Sequence, residues 1–270
     1  MNRVTRSFDL VAQSYRVLMQ DKELMVLPLI SGVIIIAVVA SFFFGFDLRS
    51  RLDSEDQTLL VVPGLLLYVA TYAIGIFFQA AVVAGATERL RGGDPTIGSA
   101  LSAAFRRIVP ILLWAVVAAT VGILLRAIQD RAGFIGKIVV AVIGAAWSLA
   151  TFFVVPVIVL EEHSIGDSFR RSLEVFRKTW GETFVGGVTL GVAAFCAWVT
   201  LIAIAGLLAW AGAGVLTFVV AGAGAIALAV LFPALQGVFV ASLYQFATAG
   251  NSPAGFDRAL LGEAFRRKRG

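Results

Sequence analysis

Cysteine and histidine are nearly absent from this sequence: Cys196 and His163 stand alone among 270 residues. A single cysteine excludes an intrachain disulfide framework and a cysteine-based metal site. A single histidine beside Glu161 and Glu162 falls short of the three or four converging ligands that a metal needs, so this trio reads as the wet end of an apolar segment. Charge is scarce too, at 14% of residues against roughly 25% in soluble domains. Neither Gly92-Gly93 nor Gly186-Gly187 is followed by the Gly-Lys-Ser/Thr of a phosphate loop. With no catalytic constellation in view, the expected function is non-enzymatic, without cofactor or metal.

Apolar residues are what the chain has in excess, at 59%, with a mean hydropathy of +0.92. Crossing a bilayer core of about 30 Å takes about 20 apolar residues. Six segments meet that length without a single Asp, Glu, Lys or Arg: Met25–Phe46, Leu59–Thr87, Ile108–Leu125, Ile138–Leu160, Phe184–Trp210 and Val215–Thr248. Backbone groups in lipid must be satisfied within helices or closed barrels. These continuous runs lack the alternation of barrel strands, so the expected fold is all-α and polytopic. The last two segments form one uncharged stretch, divided here at Ala211-Gly212-Ala213-Gly214 because a single helix would overshoot the membrane. The run that starts at Met25 is long enough to span, so the first helix is expected to be retained rather than cleaved as a signal.

The basic residues are distributed unevenly. Seventeen of the 22 Lys and Arg fall in 1–24, the second and fourth connections and the tail 251–270. Such clustering places those segments, and both termini, in the cytoplasm. The pI of 9.8 therefore reflects dispersed charge beside a membrane, and nucleic-acid binding is not expected.

Three stretches on that side have helical periodicity. In Ser164–Trp180, residues Ile165, Phe169, Leu173, Phe176 and Trp180 share a narrow arc at 100° per residue, with Ser164 as N-cap and Asp167 in the first turn. Val4, Phe8, Val11, Ala12, Tyr15, Leu18 and Met19 share a wider one. Ala100, Leu101, Ala104 and Phe105 align after an Asp94 cap and Pro95. The spelling partly repeats, as in Thr96-Ile97-Gly98 and Ser164-Ile165-Gly166. The expected architecture is one transmembrane domain over 1–270 made of three hairpins, each preceded by a cytoplasmic amphipathic helix. Its units cover about 1–90, 94–160 and 164–250, ahead of a basic tail at 251–270 whose start is marked by Ser252-Pro253.

Two functions compete. Arg106, Arg107, Arg170, Arg171, Arg177 and Lys178 can contact anionic lipid headgroups or a partner, each basic residue near the surface contributing about 1 kcal/mol; the same helices can instead simply pack on the bundle. The first function is thus a membrane component that organises lipid or proteins through interfacial helices. The alternative is a passive channel or transporter through the even-numbered spans, where Gln79, Gln236 and Gln245 supply polarity, accompanied by Tyr68, Thr71, Tyr72, Ser148, Thr151, Ser242 and Tyr244. These side chains can equally bond neighbouring helices. Pro156 and Pro233 are expected to kink the fourth and sixth spans. Ion coupling is disfavoured, because it usually places ionisable groups inside the membrane. Small residues four apart, as in Gly187 and Gly191, suit close packing within the chain or in a homo-oligomer.

Ser14-Tyr15-Arg16-Val17-Leu18, then Asp21-Lys22-Glu23-Leu24 and Leu27-Pro28-Leu29, resembles the opening of an uncharacterised prokaryotic six-helix membrane family, a domain of unknown function. The resemblance implies a multi-pass protein of the prokaryotic inner membrane. Val155-Pro156-Val157, Glu161 and the Ser168–Trp180 helix are more distantly similar to the non-catalytic membrane domain of some glycerophosphodiester phosphodiesterases, which implies no phosphodiesterase activity here. Leu27-Pro28-Leu29 is loosely similar to sulfate-permease-type proteins and carries over no substrate residue. A reporter fused after Gly270 is expected to be active only in the cytoplasm, and activity on the outer side alone would refute the six-span topology.

Overall fold

A computed structural model describes residues 3–45, 61–161 and 163–249, with backbone alone at 3–10, 179–186 and 249. The connection holding Arg49 and Arg51, residue Glu162 and the basic tail lie outside the described residues. All described elements are helical: α1 (Arg3–Gln20), a 3-10 turn (Lys22–Met25), α2 (Val26–Gly45), α3 (Val61–Leu90), α4 (Ile97–Arg106), α5 (Ile108–Arg131), α6 (Phe134–Ala150), α7 (Val154–Leu160), α8 (Ile165–Trp210) and α9 (Val215–Ala249). Six segments are long and apolar enough to cross a membrane: Lys22–Gly45, Val61–Leu90, Ile108–Arg131, Phe134–Leu160, Gly187–Trp210 and Val215–Thr248. This is a multi-pass membrane protein. The last two spans part at the expected place, where Gly212 and Gly214 take φ of +72° and +48°, a region open to glycine because it lacks Cβ.

Two spans depart from expectation. α8 runs unbroken for 46 residues, about 69 Å, so the separate interfacial helix ending at Trp180 and the span starting at Phe184 are one element. No proline interrupts 165–210, and isolated glycines cost a helix only about 1 kcal/mol each. The fourth span does the reverse. It is not one kinked helix: α6 ends at Ala150, a turn occupies 151–153, and α7 starts at Val154. Proline at 156 has no N–H to offer the Phe152 carbonyl and its ring crowds that carbonyl, so a helix running through 152 would be weakened there. Pro156 instead takes the first turn of α7, where a missing N–H costs nothing. α9, by contrast, continues as helix through Pro233.

The break leaves backbone groups in an apolar interior, and α8 supplies their partner. Ser172 Oγ donates to Ala150 O at 2.7 Å and accepts from Phe153 N at 3.1 Å. Ser172 itself is fully buried.

Packing runs in a ring: α3 against α5, α5 against α6, α6 against α8, α8 against α9, and α9 back against α3. The short α7 lies against α3, α5, α8 and α9, which sets it inside the ring. α2 covers α3 and α9, α1 lies on α8 and α9, and α4 on α3 and α5. The buried core is concentrated at one end, joining Leu18, Leu24, Val83, Leu90, Ala104, Phe153, Val157, Val175, Phe239 and Leu243 in one cluster. At the other end, large apolar side chains face outward, among them Trp210 at 87% and Phe218 at 79% exposure. Lipid, not protein, is their solvent. Close helix approach at the dense end depends on glycine: a Cβ on Gly237 of α9 would collide with Val82 of α3, and one on Gly85 would sit 2.6 Å from Leu24 Cδ2.

The predicted apolar arcs are rotated in the folded chain. In α1 the buried stripe is Ser14, Val17, Leu18 and then Asp21, while Tyr15 and Ala12 face out; Val4 and Phe8 lie outside the described side chains. In α8 the stripe is Ser168, Ser172 and Val175, flanked by half-buried Ile165, Phe169 and Phe176. Small serines bring each helix close to the bundle where bulky residues would hold it off. In α4, Ala100 and Ala104 are buried, and Phe105 is largely exposed while its edge meets Phe77 at 4.8 Å. The cap of α4 is Thr96, not Asp94: Thr96 Oγ1 accepts from Ser99 N, and Ser99 Oγ accepts from Thr96 N, both at 3.0 Å. Ser164 caps α8 as expected, accepting from Asp167 N at 3.2 Å.

Candidate functional site: a neutral cavity above a dry floor

Among α3, α5, α6, α7 and α9 lies a broadly open cavity of about 600 Å³. α3 contributes Thr71, Tyr72, Gly75, Ile76, Gln79 and Val83; α5 contributes Trp114 and Ala118; α6 and the break contribute Trp147, Ser148, Thr151 and Phe152. α7 supplies Val155 and Pro156, and α9 supplies Gln236 and Val240. Among the described residues no charged side chain and no histidine lines it. The even-numbered spans provide nearly all of the wall. Of the polar residues singled out from the sequence, Gln79, Gln236, Thr71, Tyr72, Ser148 and Thr151 converge here.

The others go elsewhere. Gln245 is not in the lining; its Oε1 is buried and accepts no hydrogen bond among the described residues. Ser242 Oγ donates to Phe239 O at 2.8 Å within its own helix. Tyr68 sits a turn from Tyr72, with ring centroids 5.6 Å apart. Trp114 and Trp147 were not foreseen as site residues. Their rings stack at 6.0 Å and 21°, and Trp147 also stacks with Phe169 of α8 at 5.8 Å and 26°. Two aromatic residues on separate apolar spans leave no pairing signal in the sequence.

Below the cavity the interior is closed. Phe153, Val154, Val157, Val238 and Phe239 are almost wholly inaccessible. Directly beneath them is a polar knot. Glu161, at the end of α7, accepts from the Tyr244 hydroxyl of α9, from Arg171 Nε of α8 at 3.1 Å, and pairs with His163 Nε2 at 2.8 Å. Arg171 Nη1 also reaches Glu174 at 3.3 Å. Glu161 is therefore more than the wet end of a span: it joins α7, α8 and α9. A second knot links Asp21, before the first span, to Arg89 at the end of α3, which also donates to Asp94 at 2.8 Å. The Asp21 carboxylate is almost fully buried, which explains the rotation of α1: its stripe must present that carboxylate to Arg89.

The six basic residues expected at headgroups divide accordingly. Arg106, Arg170, Arg177 and Lys178 are exposed, Arg107 is half-buried, and Arg171 is committed to Glu161 and Glu174.

The model of the family of unknown function DUF6159 matches residues 58–256 of the chain. The chain belongs to the DUF6159 family. The match takes in α3 to α9 and hence the whole cavity, and it begins beyond the Ser14–Leu29 stretch that carried the resemblance read from the sequence. No curated protein and no solved structure matches the chain.

Electrostatics give the Glu161 knot a pH signature. Burial works to raise the Glu161 carboxyl, but the Tyr244 hydrogen bond and the Arg171 charge outweigh it, and the net pKa lies below the ordinary 4.5. Burial likewise works against the Arg171 guanidinium, and Glu161 more than offsets it. Since the folded carboxyl is the stronger acid, its stabilising contribution is complete above pH 4.5 and is lost as pH falls through the lower folded value. Thermal melts in detergent should therefore show a drop in Tm below pH 4.5 that is smaller in Glu161→Gln. Equal acid sensitivity in both proteins would remove the knot as its cause.

Proposed function

We propose that the protein holds a small uncharged solute in this cavity and lets it cross the bilayer passively, without chemistry and without ion coupling. The observation that carries this reading is the convergence of Gln79 and Gln236, from spans far apart in sequence, on one cavity with no formal charge. Isolated charges are costly in such surroundings, so ions are poor candidates, while neutral groups find amide and hydroxyl partners. A broken helix beside a central site is also a recurring feature of membrane transport proteins. In this reading the floor formed by α7 is the closed side. The turn at 151–153 is the natural place for α7 to pivot, and the basic end of the bundle, with both termini, faces the cytoplasm of a prokaryotic inner membrane. The three hairpin units then share one purpose, to wrap the ring.

Proteoliposomes supply the test. Purified protein should speed the equilibration of at least one of urea, formamide and glycerol while leaving potassium and chloride impermeant. Gln79→Leu or Gln236→Leu should slow that flux about tenfold, the equivalent of roughly one lost hydrogen bond. Vesicles no more permeable than protein-free controls would overturn the proposal.

The exposed Arg106, Arg170, Arg177 and Lys178 support a second reading, in which this face organises anionic lipid or a partner protein. The buried stripes of α1, α4 and α8 are already used by the bundle, which leaves Tyr15 and Phe105 as exposed aromatic side chains on the same helices. Replacing Arg170, Arg177 and Lys178 by Glu should weaken the affinity for phosphatidylglycerol about a hundredfold, at about 1 kcal/mol per charge, and so cut the amount retained per protein. Unchanged retention would sink this second role.

A further inference from the structure

The hydrogen-bonding inventory of the cavity narrows its ligand. A hydroxyl carries one hydrogen and two lone pairs. Thr71 Oγ1 donates its hydrogen to Leu67 O at 2.9 Å, Ser148 Oγ to Gly144 O at 2.9 Å, and Thr151 Oγ1 to Trp147 O at 2.8 Å. All three are acceptors bonded back onto their own helices, and what they can offer a ligand is lone pairs. The Tyr72 hydroxyl and the amides of Gln79 and Gln236 have no hydrogen-bond partner among the described residues, and they add donors as well as acceptors at the same cavity. The site thus calls for a molecule that donates several hydrogen bonds, accepts a few, and carries no charge.

Other classes fit less well. Ethers and N-oxides lack the donors that three spent hydroxyls require. Carboxylates and phosphates find no cation in the lining. A quaternary ammonium finds no carboxylate in the lining. A volume of about 600 Å³ lies within the usual range for small-molecule sites, roughly 300–1,000 Å³.

We infer that the cavity binds a neutral, hydroxyl-rich group: a free polyol, or the hydroxylated head of an uncharged lipid such as a glycosyl diacylglycerol. Each hydroxyl of such a group donates once, into Thr71, Ser148 or Thr151, and accepts from Gln79, Gln236 or Tyr72. This deepens the reading of the cavity as the solute site and rests on it.

The test reads binding separately from flux. In nanodiscs, the emission of Trp114 and Trp147 is isolated as the difference between the native chain and one carrying Trp114→Phe and Trp147→Phe. Erythritol and glucosyl-1,2-dioctanoylglycerol serve as the two probes, with 1,2-dimethoxyethane as a donor-free control. A saturable change with either probe, and none with the ether, is expected. The shape-conserving pair Thr71→Val and Ser148→Ala should raise the half-saturating concentration about tenfold or more. A response to erythritol alone assigns a free polyol, one to the glucosyl lipid alone assigns a lipid head, and one to both supports the shared chemistry. No response to either probe, or a response indifferent to the paired substitution, overturns the inference. Binding without flux would refute passive passage and leave the ligand class standing. Flux of urea without any polyol response would do the opposite.

Discussion

A helix that stops inside an apolar bundle strands backbone groups where water cannot reach them, and the rest of this structure follows from how they are satisfied. Pro156 denies the fourth span a continuous ladder, and Ser172 from α8 takes up both the Ala150 carbonyl and the Phe153 amide. An unsatisfied buried group costs about 1–3 kcal/mol, so without this serine the break would be expensive. With it, α7 can turn inward and become a floor. The same stretch of α8 carries Phe169, stacked on Trp147 above the break, and Arg171, paired with Glu161 below it. One helical segment therefore splints the broken span from both sides.

The floor matters because the packing is uneven. At the charged end, glycine and alanine let α3, α9 and the turn before α2 approach closely, and Val83, Phe153 and Phe239 are sealed. Toward the opposite end, Phe195, Ile202, Trp210 and Phe218 face outward, which is tolerable only where lipid chains replace protein neighbours. The cavity lies where the first regime gives way to the second. Its polar groups come from the upper surface of the sealed region, and its aromatic wall from the stack that ties α5, α6 and α8.

Much of this was legible in one dimension. The apolar runs announced the spans, Gly212 and Gly214 marked the last turn, and Ser164 was a readable cap, because each depends on a few consecutive residues. The helix faces were less legible. Hydrophobic arcs pointed to Tyr15 and Leu173, yet Ser14, Ser168 and Ser172 are the residues turned inward. A hydropathy pattern scores serine as polar and cannot register that a small side chain permits close approach, or that a buried carboxylate at Asp21 has Arg89 as its partner 68 residues away. The same blindness made Glu161 look solvated when its oxygens are taken by Tyr244, Arg171 and His163.

By itself the sequence determined how many times the chain can cross a membrane, that the apolar runs making those crossings hold no charge, and which amides and hydroxyls were available for a polar site. These follow from local transfer energies and local turn chemistry. Only the tertiary structure decided that Gln79, Ser148 and Gln236 meet while Gln245 does not, that α8 is one helix, and that the fourth span is two. Whether a proline kinks or breaks a helix depends on a partner for the freed backbone groups, and that partner, Ser172, reaches Ala150 from 22 residues away only after the helices have packed.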